Sequence, residues 1–221
     1  MIRVARNKKP DVLAKKETNW KTTIREASTD AARKKAQEKY QHVDIKDRLV
    51  EMFHGKCAYC ESAITHIDYG HIEHFKPKST PTYHELAVEW NNLLLACGRC
   101  SGAENKGSKF PLENEDGPLI NPVDEEPSHH FSFDFDLKLR LANVLGVSKR
   151  GETTRIILGL NRPELVKRRS DFVKKLWVIA GRYNEDDDAR AIVDSATDSK
   201  EEYAAFARSL KRFIESNVVA C

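Results

Sequence analysis

The chain has 221 residues, a formal net charge of +3, 40% hydrophobic residues and 32% charged residues. This length supports one sizeable domain or a small module wrapped by helices, and the high charge indicates a helix-rich protein with modest cores. No stretch approaches the apolar length that crosses a membrane, and residues 1–10 lack the apolar core of a signal peptide, so we expect a cytoplasmic protein.

Charge is unevenly distributed along the chain. Residues 1–56 carry 15 Lys and Arg against 8 Asp and Glu, whereas residues 111–136 carry 8 acidic residues and no Lys or Arg. A basic N-terminal segment is typical of contact with nucleic-acid phosphates. A solvated helix face followed by an acidic linker explains the same pattern equally well.

The N-terminal part of the chain is predicted to be helical. Residues 29–53 have apolar positions near one helical face, with Asp30 at the predicted start and Gly55 after the predicted end. Residues 56–112 break this pattern with cysteines, glycines, prolines and short apolar runs. We therefore predict a helical segment at residues 1–55 and a separate, irregular module at residues 56–112.

The remaining region, residues 113–221, begins with an acidic connector. Residues 131–144 alternate apolar and polar side chains, which predicts a strand or hairpin with one buried face. Three helices are predicted to follow, at residues 153–160, 163–180 and 199–219. A capping box formed by Ser199 and Glu202 is expected to open the last of them.

Four cysteines form two pairs, Cys57-Ala-Tyr-Cys60 and Cys97-Gly-Arg-Cys100, with 36 residues between the pairs. Each CxxC turn directs two sulfurs at one point, and two such turns complete the tetrahedron that zinc prefers. A reducing cytosol disfavours disulfides, and a thioredoxin-like redox pair leaves the second CxxC unexplained. We predict a structural zinc site and assign no role to Cys221.

Zinc bound by four thiolates has no open coordination position, so the chemistry must come from residues between and after the knuckles. Between them lies Glu73-His74-Phe75-Lys76-Pro77, and Asn92-Leu93 precedes the second knuckle. This combination resembles the HNH nuclease motif. The resemblance implies a fold that is mainly α, with a small ββα-metal module stapled by a four-cysteine zinc site and helical N- and C-terminal flanks.

The resemblance also implies roles for individual residues. A hairpin and a helix of an HNH module hold one divalent ion, here Mg²⁺ or Mn²⁺, with Glu73 as a ligand and His74 as the general base. Asn92 occupies the middle position of the motif, where its amide orients the loop that carries His74. His71 is an alternative to Glu73 as ligand, and Asn91 is an alternative to Asn92.

The last metal ligand is where this sequence departs from the HNH pattern. The position after the second knuckle, often His or Asn, is Ser101. If a helix begins at Cys100, Asn105 lies one turn further along the same face, and its amide oxygen suits a hard divalent ion. We predict Asn105 as the ligand, with Ser101 acting directly or through water as the alternative.

Basic side chains near these motifs are candidate phosphate contacts, although a solvated surface explains each of them as well. They are Lys76, Lys78, Arg99 and Lys106.

Further blocks at residues 56–61, 71–78, 90–97, 109–112, 119–122 and 158–162 resemble the PtuB family, the HNH effectors of Septu and some retron anti-phage systems. That resemblance implies a partner, a PtuA-like ATPase of the ABC/SMC class, and a DNA substrate, with host RNA as the alternative. A zinc-binding interaction module without hydrolytic activity is the competing hypothesis.

Overall fold

The computed structural model describes residues 1–218 of the chain. Its N-terminal part contains α1 (Asp11–Arg25), α2 (Asp30–Gln37) and α3 (Val43–Met52), with a 3-10 turn at Glu38–Gln41 between the last two. The prediction of one helix over residues 29–53 is wrong. His42 leaves the helical conformation, with ψ near 138°, and its ring accepts a hydrogen bond from the Asp44 amide at the start of α3. Thr29 rather than Asp30 caps α2.

The central module contains strands β1 (His71–His74) and β2 (Leu93–Ala96), followed by the single turn of α4 (Gly98–Ser101). The strands are antiparallel, with His71 opposite Ala96 and His74 opposite Leu93. The order strand, strand, helix agrees with the ββα arrangement that the sequence implies. The helix is much shorter than expected, because the chain becomes extended at Gly102.

In the C-terminal region, β3 (Phe131–Asp136) and β4 (Leu141–Gly146) form a two-stranded antiparallel hairpin, which confirms that prediction. The helices that follow are α5 (Lys149–Ile157), α6 (Pro163–Ala180), α7 (Asp187–Ala196) and α8 (Ala204–Val218).

The bounds of α6 agree with the prediction, whereas α5 begins earlier than predicted and α7 was not predicted. The prediction of a capping box at Ser199 and Glu202 is wrong. The Glu202 carboxylate accepts a hydrogen bond from the Ala63 amide, and α8 begins only at Ala204. The end of the predicted last helix at Val219 lies outside the described residues, as does Cys221.

Residues from all three parts of the chain pack into one hydrophobic core. Ile24 of α1, Leu49 of α3, Leu94 of β2 and Phe133 of β3 belong to it, and so does Phe206 of α8. The helices therefore support the short hairpin β1–β2, which buries too little surface to be stable alone. The boundaries proposed at residues 55 and 112 stay a prediction. No helix in the described part of the chain is long and apolar enough to cross a membrane.

Candidate active site and zinc centre

The four cysteines of the two knuckles lie together. Their sulfur atoms are all within 4.8 Å of one another, and the Sγ atoms of Cys60 and Cys97 are 3.9 Å apart. Tetrahedral zinc with Zn–S bonds of about 2.3 Å places its sulfurs about 3.8 Å from each other. None of the four forms a disulfide. Cys57, Cys60, Cys97 and Cys100 therefore fit a zinc ion, which would hold the two loops together.

Backbone and sulfur hydrogen bonds place the two cysteine knuckles side by side. The amide of Ala58, inside the first knuckle, donates to the carbonyl oxygen of Leu95 on β2 at 2.8 Å. Strand β2 then leads directly into Cys97, whose Sγ accepts a hydrogen bond from the Cys100 amide at 3.4 Å. The hairpin and the cysteine cluster are thus one structural unit.

An arginine from the C-terminal region contacts this cluster. Nη1 of Arg162, at the start of α6, lies 3.5 Å from Sγ of Cys100 and donates to the Gly159 carbonyl oxygen at 3.1 Å. Burial works against the charge of Arg162, but the Cys100 and Cys60 thiolates beside it raise the pKa of the guanidinium. Sequence reasoning missed this contact, because Arg162 follows Cys100 by 62 residues with no spacing that relates them.

Glu73, the predicted metal ligand, is buried beside a lysine. The Nζ atom of Lys106 forms an ion pair with Oε1 of Glu73 at 2.6 Å and donates a hydrogen bond to the His74 carbonyl oxygen at 2.8 Å. Burial raises the pKa of Glu73, and the charge of Lys106 acts in the opposite direction. The buried Tyr59 hydroxyl has no hydrogen-bond partner among the described residues.

His74, the predicted general base, is held by a backbone carbonyl. Its Nε2 atom lies 3.0 Å from the Ala87 carbonyl oxygen, which can only accept, so Nε2 carries the proton and Nδ1 keeps its lone pair. The edge of the His74 ring contacts Tyr40 of the N-terminal segment, with ring centroids 4.5 Å apart. Burial, helped by the charges of Lys78 and Lys106, lowers the pKa of His74 to about 4.

We expect His74 to stay neutral between pH 5.5 and 8. Its pKa falls from 6.5 to about 4 in the folded protein, so the unfolded chain binds more protons between these values and this group makes stability rise with pH across that window. NMR of the ring Cε1–H signal, assigned with the His74→Gln variant, should show no titration above pH 5.5. A midpoint near 6.5 would contradict this prediction.

Asn92, the predicted structural residue of the motif, clamps the loop next to His74. Its Oδ1 accepts from the Lys76 amide at 2.7 Å, and its Nδ2 donates to the carbonyl oxygens of Lys76 at 2.9 Å and Leu86 at 3.1 Å. Lys76 is two residues from His74, and Leu86 precedes the Ala87 that holds the imidazole. Asn91 is exposed and contributes its backbone carbonyl to Arg6. The geometry favours Asn92 over Asn91.

Replacing Asn92 by Ala should destabilise the protein by about 1–3 kcal/mol, because buried backbone groups lose their partners. The exposed Asn91→Ala change is the matched control and should cost less than about 0.5 kcal/mol. Urea unfolding of both variants measures the difference. Equal midpoints for the two variants would show that the clamp contributes nothing to stability.

Asn105, the predicted second ligand of the divalent ion, contacts the backbone of the second knuckle. Its Nδ2 donates to the Arg99 carbonyl oxygen at 2.7 Å, and its Oδ1 lies where a side chain at Gly159 would be, 2.2 Å from that Cβ position. Helix α4 ends at Ser101, and turns rather than a helix connect it to Asn105. The role of Asn105 as a metal ligand stays a prediction.

Ser101, the alternative ligand, lies beside His71. Its hydroxyl oxygen is 3.3 Å from Nδ1 of His71, which shares a face of β1 with Glu73 because side chains alternate along a strand. In the part of the chain that the structure describes, the cysteine cluster is the only group of three or more His, Cys, Asp or Glu able to share a metal. Glu73 belongs to no such group, and its carboxylate is paired with the ammonium of Lys106.

The candidate phosphate contacts fall into two groups. Lys76 and Lys78 flank the loop after His74, where their ammonium groups lie over the rings of Tyr83 at 5.7 Å and Tyr40 at 5.4 Å. Both lysines are at least partly exposed and are well placed for an anion near His74.

The other two candidates differ in exposure. Arg99 is exposed and lies 3.6 Å from Glu104 and 3.9 Å from Glu164 in ion pairs. Lys106 is completely buried, so the expectation that it contacts nucleic acid is wrong. Its ammonium faces Glu73 inside the protein instead of the solvent.

A β-hairpin bearing Glu73 and His74 is followed by a short helix, and two cysteine knuckles lie beside it, which is the arrangement that the HNH resemblance implies. The HNH endonuclease family model matches residues 57–107. The chain therefore contains an HNH endonuclease domain.

Two proteins that the chain resembles carry the name PtuB. The chain is 32% identical over 194 residues to Septu protein PtuB of Bacillus mycoides (strain KBAB4), covering 71% of this chain and 64% of that protein. It is 39% identical over 120 residues to Septu protein PtuB of Bacillus thuringiensis, covering 53% and 41%. The chain is therefore similar to these PtuB proteins, and it spans less than two thirds of the length of either relative.

A third relative is named Septu protein PtuA rather than PtuB. The chain is 28% identical over 159 residues to Septu protein PtuA of Bacillus mycoides (strain KBAB4), covering 61% of this chain and 21% of that protein.

Proposed function

We propose that this chain is a metal-dependent HNH endonuclease that hydrolyses phosphodiester bonds of nucleic acid as the effector of an anti-phage defence system. The observation that carries the proposal is the state of His74 within the HNH domain. Its imidazole is neutral, its Nε2–H is committed to the Ala87 carbonyl, and its Nδ1 lone pair is available to accept a proton.

The reaction that this arrangement supports is hydrolysis by an activated water. Nδ1 of His74 takes a proton from water as the water oxygen forms a bond to phosphorus, the bond from phosphorus to the 3′ oxygen breaks, and the departing 3′ oxygen takes a proton from a solvent water. The products are a 5′-phosphate and a 3′-hydroxyl. The HNH class implies a Mg²⁺ or Mn²⁺ ion at Glu73. That carboxylate forms an ion pair with Lys106 in the structure.

Charge around His74 supports an anionic substrate. Lys76 and Lys78 follow His74 on the same loop, and Tyr40 joins the N-terminal segment, with its excess of Lys and Arg, to the imidazole. Phosphates bound along this surface would bring a phosphodiester bond towards Nδ1. DNA is the substrate we propose, and RNA is its alternative.

Partnership with a PtuA-like ATPase of the ABC/SMC class is part of the proposal. Its support is the similarity of this chain to two PtuB proteins, which are named as members of the Septu system. Adding the ATPase to the purified chain tests this partnership.

The test is a cleavage assay on plasmid DNA and total RNA with Mg²⁺ or Mn²⁺, with and without the ATPase, followed by sequencing of the ends. We expect new 5′-phosphate ends in DNA. Ends in RNA alone would replace DNA by RNA as the substrate. Absence of cleavage together with binding that survives a combined Glu73→Gln, His74→Ala and Asn105→Ala change would identify a zinc-binding interaction module.

A further inference from the structure

Lys106 is a fully buried lysine in the centre of the HNH domain. Among the described residues it is one of the largest side chains with no exposed surface, and its Nζ contacts the Glu73 carboxylate and the His74 carbonyl oxygen. Lysine is almost never completely buried unless its charge is paired. A cation is therefore built into the site at the carboxylate expected to bind a divalent ion.

The backbone around Lys106 holds it in this position. Its amide donates to the Cys100 carbonyl oxygen at 3.2 Å, which ties it to the second knuckle. Gly107 follows with φ near +47°, a conformation that side chains rarely adopt and that turns the chain back to the surface. Lys106 thus reaches β1 from the segment after α4, where the sequence predicted the second ligand of the divalent ion.

We propose that Lys106 is a resident cation that competes with divalent metal ions for the Glu73 carboxylate. In the protein as described, the ammonium neutralises Glu73, and a divalent ion at that carboxylate must displace it. Two cations on one buried carboxylate repel each other strongly, since a low-dielectric interior screens charges poorly. Glu73 therefore binds either Lys106 or the metal ion.

This inference rests on the proposed HNH nuclease only in its choice of Glu73 as the metal-binding carboxylate. It predicts a binding equilibrium that needs neither substrate nor catalysis. A chain that cleaves no nucleic acid can still support or overturn it.

The experiment removes the charge of Lys106 and measures Mn²⁺ affinity by calorimetry on the zinc-loaded protein. Lys106→Met keeps much of the volume, and Lys106→Gln keeps a hydrogen-bond donor for the His74 carbonyl. Both neutral variants leave a buried, unpaired carboxylate, so we expect each to bind Mn²⁺ at least about tenfold more tightly than the wild type. The Gln variant decides the question if the Met variant does not fold.

A second change identifies the carboxylate. Adding Glu73→Gln to either variant should abolish the gain, and Mn²⁺ should raise the melting temperature of the Lys106 variants but not that of the double variants. Unchanged Mn²⁺ affinity in the neutral variants would overturn the proposal. So would a gain in affinity that survives Glu73→Gln.

Discussion

Replacing His74 by Ala is expected to reduce nucleic-acid cleavage by about 10²–10⁴-fold, the contribution typical of a general base. The imidazole is the one group in the site whose protonation state and hydrogen bonding both suit proton abstraction. Its Nε2–H is fixed by the Ala87 carbonyl, and burial keeps the ring neutral. Alanine removes the acceptor and leaves the attacking water without a base.

The measurement needs a control for folding and one for contaminating nuclease. Zinc content and the melting temperature should show that the variant is folded, because His74 is not part of the four-cysteine cluster. His66→Ala, an exposed histidine in the turns before β1, should cleave at the wild-type rate. Undiminished cleavage by the His74 variant, purified in the same way, would refute the assignment of the base.

The largest effect on stability is expected from Cys100→Ser. Cys100 is completely buried, and its sulfur joins the two knuckles and the Arg162 contact. Zinc binding supplies folding free energy to loops that have little core of their own. Loss of the thiolate should lower bound zinc from about one ion per chain to well below that and destabilise the protein by more than about 4 kcal/mol.

The neighbouring Ser101→Ala is the matched control for that substitution. Ser101 donates to the Cys97 carbonyl oxygen at 3.1 Å and contacts His71, so its loss should cost only about 1 kcal/mol and leave zinc in place. Elemental analysis and thermal unfolding of both variants measure the two effects. A Cys100→Ser protein that keeps its zinc and its melting temperature would exclude a structural role for the metal.

Local chemistry determined the parts of this protein that could be predicted from its sequence. The two CxxC turns each direct their sulfurs to one point through contacts within four residues, so each half of the cysteine cluster follows from spacing alone. Helix α6 begins at Pro163, which is pre-organised for a first helical turn, and its apolar period continues to Ala180. Glu73, His74 and Asn92 were predicted from a motif that is also short, and their catalytic roles stay a prediction.

Tertiary structure alone decided which partners these side chains have. The sequence predicts Asn105 as the companion of Glu73, and the structure adds an ion pair between Glu73 and Lys106, which lies in the turn after α4. The contact of Arg162 with Cys100 likewise joins residues far apart in the chain. Ion pairs and burial depend on which distant segments pack together. The spacing of a motif reflects the geometry of local turns. The packing of all three parts of the chain into one core determines which cation contacts Glu73.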